Sequence, residues 1–171
     1  VRPSDKRVQV IEIGGTIDLK DTIEGLLTRQ HIDYFIHSMA VSDYMKDYVT
    51  TIERIKESVK KHDDIDEAFK NIEVIGGSKI SSYEDSLVIV LKPTPKIISI
   101  IKNLSPSTYL IGFKLLDGVS KEELMEVAKR LRNKNNCDLV VANDLSNIRN
   151  GNHIGYIIDK ANEIEEAHGK D

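Results

Sequence analysis

Leu87-Val88-Ile89-Val90-Leu91-Lys92-Pro93-Thr94-Pro95-Lys96-Ile97-Ile98 is the stretch on which the fold turns. Its first five residues are apolar, with β-branched Val88, Ile89 and Val90 at the centre, and read as a buried strand over 87–91. Thr94 is a good N-cap and Pro95 a good first helical residue. The spacing therefore predicts that the strand stops and a helix starts at once, over about 95–103. A helix N-terminus at the carboxyl end of a buried strand offers free N–H groups and a positive dipole end to an anion. Lys92 and Lys96 stand on either side of that point. The stretch predicts a phosphate or nucleotide site on an α/β sheet.

Outward from it, the rest of the chain alternates strands with helices. Val8-Gln9-Val10-Ile11-Glu12-Ile13 reads as a strand, followed by a Gly14-Gly15 turn and an amphipathic helix over about 18–30 with Ile23, Leu26 and Leu27 inward. Residues 33–40 form a second apolar strand. Residues 47–72 are charge-dense, with Ile52, Ile55 and Val59 at helical spacing and Ile65, Ala68, Phe69 and Ile72 repeating it, which predicts one or two exposed helices. Gly76-Gly77 breaks that pattern. Strands follow at 109–113, 137–142 and 153–158, and Ser120 with Glu123 makes a capping box for a helix over about 121–133. Interior strands that are apolar on both faces predict a mostly parallel, helix-covered sheet, an α/β Rossmann-like three-layer fold. Ligands of such sheets sit at the carboxyl ends of the strands. There the sequence delivers Asp43, Thr94-Pro95-Lys96, Phe113 with Lys114, and Asn143-Asp144.

A chain of 171 residues is long enough for one domain with a sizeable core. Its net charge of −4 and pI near 5.8 point away from nucleic acid and anionic membranes. A single cysteine, Cys137, excludes an intramolecular disulfide and fits a reducing compartment, so a cytoplasmic location is expected. No apolar stretch reaches the length of a membrane span.

Each candidate residue has a plain structural alternative. Asp43 can bind a sugar, base or metal, or cap the next turn. His37 sits in an apolar run and reads as a satisfied core histidine. Lys79, between Gly-Gly and a strand, is otherwise a loop lysine. Arg130 and Lys134 can grip a triphosphate together; equally, Glu126, Arg130 and Lys134 form an i,i+4 ladder at a helix end that favours cations. Asn143 and Asp144 can form a turn. Gly14-Gly15-Thr16 matches neither a dinucleotide fingerprint nor a P-loop. Cys137 opens an apolar strand and reads as core. No His/Cys/Asp/Glu cluster has metal-ligand spacing.

Several motifs occur in a telling order: His37-Ser38-Met39-Ala40-Val41-Ser42-Asp43-Tyr44, Lys79-Ile80-Ser81-Ser82, Lys92-Pro93-Thr94-Pro95-Lys96-Ile97-Ile98, Ile111-Gly112-Phe113-Lys114 and Val141-Ala142-Asn143-Asp144-Leu145. Together they resemble phosphopantothenate–cysteine ligase of coenzyme A biosynthesis, in its stand-alone bacterial form. The resemblance implies amide formation between 4′-phosphopantothenate and L-cysteine at the expense of CTP (ATP in some members) with Mg²⁺, through an acyl-cytidylate. It implies that Lys79 binds phosphate and assists catalysis. Asp43 would contact the nucleotide, and Pro95, Lys96, Ile97 and Ile98 would line its pocket, the last three through backbone amides. Phe113 would pack near the base or ribose, and Lys134 with Arg130 would hold the triphosphate. Ala40, Ala142, Asn143 and Asp144 would line the pocket.

The same resemblance implies a homodimer, with a flap or dimerisation segment over about 45–85. Family members begin with a Gly-Gly-Thr loop and an Asn-bearing loop that nothing before Val8 carries. The chain therefore reads as one ligase domain lacking an N-terminal segment, with an uncovered sheet edge. A Rossmann-type NAD(P) oxidoreductase would need a glycine fingerprint that is absent from the sequence. A non-catalytic nucleotide-binding module remains the other alternative.

Overall fold

The computed structural model describes residues 5–77, Ile80, Tyr83 and 86–169. In chain order the elements are α1 (Thr16–Arg29), β1 (Tyr34–His37), β2 (Tyr44–Thr51), α2 (Ile52–Lys61), α3 (Ile65–Lys70) and β3 (Leu87–Pro93), followed by α4 (Ile97–Leu104), β4 (Tyr109–Leu116), α5 (Lys121–Asn135), β5 (Leu139–Asp144), α6 (Leu145–Arg149), β6 (Ile154–Asp159) and β7 (Ile164–His168). They divide into two compact units. Val1–Val41 with Pro95–Asp171 make the first, and Ser42–Thr94 the second.

The first unit is an α/β sheet in the order β1-β4-β5-β6-β7. β1, β4 and β5 run parallel; β6 and β7 add antiparallel at one edge, as an antiparallel edge often closes a parallel sheet. β1 forms the other edge. α1, α4 and α5 supply Ile23 and Leu27, Ile97, Ile98 and Ile101, and Leu124, Met125 and Ala128 to one core with Leu110, Val140, Ala142 and Ile158 of the sheet. Gly112 belongs to that packing: a Cβ there would stand 3.3 Å from Ile98 Cδ1 and 3.3 Å from Cys137 Sγ, so a larger residue would push those side chains aside by a few tenths of an ångström.

The other sheet face carries Tyr34, Ile36, Tyr109, Phe113 and Leu115, as the register Tyr34↔Tyr109 and Ile36↔Ile111 requires. It is open among the described residues, with Ile36 59% exposed. The two faces give a paired expectation. Leu110→Ala, at a site with no exposure, should cost about 2–5 kcal/mol. Ile36→Ser should change stability by no more than about 0.5 kcal/mol. Urea unfolding of both variants checks it; equal losses would mean that the open face is covered in solution.

The second unit is the two-stranded antiparallel sheet β2-β3 with α2 and α3. Thr51 caps α2 through Arg54 N–H (3.2 Å) and Asp64 caps α3 through Glu67 N–H (2.9 Å). Ser58 Oγ donates to Ala68 O at 2.7 Å and pins the two helices together. The charge-dense stretch thus holds two helices, as its spacing predicts, and its first residues add β2, which the charge pattern conceals.

Three expectations are corrected. Val8–Ile13 takes no regular secondary structure and joins no sheet among the described residues, and Val8 and Val10 stay about half exposed. Alternation marks a chain fit for pairing, but a strand exists only where a ladder satisfies its N–H and C=O groups. The 87–91 strand does form, within β3, yet it is not buried between helices: it has one partner, β2, and Leu87, Ile89 and Leu91 are exposed. Thr94 and Pro95 do not start α4, whose N-cap is Lys96. Thr94 instead closes the second unit, its N–H donating to Asp43 O at 3.0 Å and its hydroxyl to Ser42 O. Thr94 therefore lies two residues before the cap position, held by the second unit's own hydrogen bonds.

Candidate nucleotide site at the carboxyl edge

Parallel β1, β4 and β5 define a carboxyl edge, where ligands of such sheets bind. The helices between them run the opposite way. Lys102, in the last turn of α4, donates to Thr108 O at 2.6 Å just before β4 begins, so the α4 N-terminus lies at the carboxyl edge. α5 leaves β4 at that edge and returns to the amino edge, where Cys137 N–H donates to Arg132 O at 3.0 Å.

This topology sets Lys96, Ile97 and Ile98 at the carboxyl edge. Lys96 is exposed at the N-cap of α4 and makes no side-chain cap bond. Ile97 and Ile98 follow it. Their side chains are in the core at 3% and 9% exposure, so toward the edge they present backbone N–H groups, which the first turn of a helix leaves without intrahelical acceptors. Pro95 is half-buried just before them. Ala40 is exposed beyond β1, and Phe113 is 39% exposed on the open face of β4.

Asn143 and Asp144 close β5 at the same edge, but their side chains are engaged. Asn143 Nδ2 donates to Ile154 O at 3.0 Å. Asp144, 5% exposed, accepts from Gly118 N–H at 2.9 Å and Ser146 N–H at 2.8 Å, capping α6 and holding the β4–α5 turn. Those amide bonds, Gly118's first, hold its carboxyl below the usual carboxylate range. Gly118 has φ +68, a conformation that favours glycine in this turn. Ala142 has no exposure at all and belongs to the core wall behind the site.

Arg130 and Lys134 are not brought to this edge. They flank Arg132 in the last turns of α5, beside the start of β5 at the opposite end of the sheet. Arg130 is ion-paired with Glu126 four residues before it, which is the helical-ladder alternative. The sequence places a residue on a helix; only the crossover direction decides at which end of the sheet that helix finishes. Asp43 is exposed in the second unit, and Lys79 lies outside the described residues.

Two further residues differ from their sequence reading or refine it. His37 is not a satisfied histidine: its buried Nε2 has no partner among the described residues, and burial lowers its pKa, so the ring is neutral. Cys137 is core, 2% exposed, with burial pushing its thiol up to about 11. Native protein should therefore react with a thiol reagent at pH 8 orders of magnitude more slowly than unfolded protein; a fast native reaction would place the thiol at the surface.

No group of three His, Cys, Asp or Glu residues suited to a metal is present among the described residues. No helix among the described residues is long and apolar enough to cross a membrane.

Residues 69–170 match the DFP family, DNA/pantothenate metabolism flavoprotein C-terminal domain. The coenzyme A biosynthesis bifunctional protein CoaBC of Thermococcus kodakarensis is 33% identical over 135 residues, covering 79% of this chain and 27% of that protein. The chain spans about a quarter of the length of the curated relatives it matches. The crystal structure of the DNA/pantothenate metabolism flavoprotein from Streptococcus pneumoniae superimposes with a TM-score of 0.76 at 33% identity, covering 97% of this chain and 69% of that one. A Cab2 mutant solved in complex with phosphopantothenate-cysteine shares the fold alone, with a TM-score of 0.53, 16% identity and coverage of 90% and 42%.

Proposed function

Because the chain belongs to the DNA/pantothenate metabolism flavoprotein C-terminal domain family, we propose that it performs the phosphopantothenate–cysteine ligase reaction of coenzyme A biosynthesis, with CTP as the nucleotide. The observation that carries this reading is the α4 N-terminus. Lys96 and two backbone N–H groups stand at the carboxyl edge of a parallel sheet, in a chain one third identical to a CoaBC protein. A helix N-terminus beside a lysine is chemistry for a polyphosphate.

In the proposed reaction a carboxylate oxygen of 4′-phosphopantothenate attacks the α-phosphorus of CTP. The bond from that phosphorus to the bridging oxygen breaks, releasing pyrophosphate and leaving an acyl-cytidylate. The amine of L-cysteine then attacks the acyl carbon, CMP leaves with the electron pair of the C–O bond, and the new amide loses a proton. Both early reactants are anions, so positive groups must offset their repulsion and the charge growing at phosphorus. Lys96 and the Ile97 and Ile98 amides would bind phosphate, Lys79 would assist cytidylyl transfer, Asp43 would contact the nucleotide, and Phe113 would pack near the base or ribose. Asp144 would act by fixing the pocket wall rather than by touching ligand. With Arg130 and Lys134 at the amino edge, the triphosphate role passes to Lys96 and Lys79.

Pyrophosphate release with 4′-phosphopantothenate, CTP, Mg²⁺ and cysteine, leaving out one component at a time, tests the reading. Release that needs both phosphopantothenate and CTP is expected. CTP binding without release would leave a nucleotide-binding module, and no binding of CTP or ATP would overturn the nucleotide site.

The protein should also be a homodimer. β3 presents Leu87, Ile89 and Leu91 to solvent on a two-stranded sheet, an arrangement of marginal stability alone. Light scattering should give twice the chain mass; a monomer that converts substrate would refute this.

A further inference from the structure

The amino edge of the sheet holds a cavity that the proposed reaction does not use. Its volume is about 550 Å³, and Lys102, Arg132, Asn133, Asn136, Cys137 and Lys160 line it. It lies where the last turns of α4 and α5 meet the start of β5, away from the carboxyl edge. Three lining residues are cations and three supply amides or a buried thiol.

The cations are only partly neutralised. One carboxylate, that of Asp138, is shared between Lys102 Nζ (2.6 Å) and Lys160 Nζ, and accepts Leu110 N–H at 2.8 Å as well. Arg132 has no carboxylate partner among the described residues. Only 6% exposed, it donates through Nη1 to Asp159 O and through Nη2 to Asn133 Oδ1 (2.7 Å) and Asn162 Oδ1 (3.1 Å). Its Nε–H is buried and finds no acceptor among the described residues. A buried guanidinium with an N–H left without an acceptor is costly, and an oxyanion in the adjoining cavity offsets its charge. Arginine, with its planar fork of donors, is suited to phosphate, and Lys160, with 67% side-chain exposure, has room to turn toward it.

We propose that this cavity is a second anion site, in which Arg132, Lys102 and Lys160 hold a phosphate group, independently of the nucleotide site. Two sources share that chemistry, free phosphate and a phosphate monoester, and the cavity has room for either.

Amide chemical shifts of the 171-residue chain, followed during titration with inorganic phosphate and separately with ribose 5-phosphate, test it. Saturable shifts are expected at Arg132, Asn136, Cys137 and Asp138. Lys160→Met should weaken them at least tenfold, Lys160→Arg should restore them, and Lys96→Ala should leave them unchanged. Tighter binding of ribose 5-phosphate would assign the site to an ester; equal affinities would assign it to free phosphate. Shifts that fail to saturate would overturn the proposal. So would shifts that survive Lys160→Met or vanish with Lys96→Ala, since phosphate would then be binding at the carboxyl edge only.

Discussion

Asp138→Ala should destabilise the protein by about 3 kcal/mol, more than any other single polar substitution in the first unit. Asp138 is 7% exposed and joins two buried donors, Lys102 Nζ with 11% side-chain exposure and the N–H of Leu110 at the start of β4, together with the solvent-exposed Lys160 Nζ. Removing the carboxylate leaves a buried ammonium and a buried amide without their acceptor. Their desolvation then goes uncompensated, which costs more than the ion pair itself is worth.

The pH dependence has a definite sign. Burial opposes ionisation of Asp138 most strongly, but Lys102, Lys160 and the Leu110 amide together outweigh it, and the folded carboxyl titrates below its ordinary value. A depressed folded pKa gives stability that is present above the unfolded value, about 3.9, and lost as pH falls through the folded one. Urea unfolding of wild type and Asp138→Asn should therefore differ by a constant amount from pH 5 to 7, and the difference should shrink as pH falls below the unfolded value of about 3.9. A gap that does not shrink on acidification below that value would show that Asp138 acts through packing rather than charge.

Lys79→Ala should lower kcat for pyrophosphate release by about 10²-fold or more if Lys79 stabilises charge at the α-phosphorus, the effect of losing one such donor. The expected signature is kcat and kcat/KM falling together, with KM for CTP little changed. An unchanged kcat with a raised KM would assign Lys79 to ground-state binding. Ile36→Ser, on the open face, serves as the control whose kinetics stay at the wild-type level if that face is uninvolved.

Hydrophobic spacing was enough to give α1, α4, α5 and the strands β1, β4, β5 and β6, because each carries its core stripe in its own residues. Ser120 caps α5 as its sequence predicts: Glu123 N–H donates to Ser120 Oγ at 3.1 Å. β7 was invisible, since Ile164–His168 is exposed throughout and is held by its ladder to β6 rather than by burial. α6 was missed for a related reason, having five residues and no buried one.

The sequence by itself determined the α/β class, the family motifs and the lysine at the start of α4. These depend on residue type and local spacing, which a linear chain displays. Tertiary structure alone decided that β3 pairs with β2 outside the main sheet, that Asp144 is a cap, and that Arg130 and Lys134 finish at the amino edge. It alone gathered Lys102, Asp138 and Lys160, which span 58 positions of chain (160 − 102), around one carboxylate. Which strand a ladder joins and which edge a helix reaches depend on chain direction through the crossovers, and no local window of sequence contains that information.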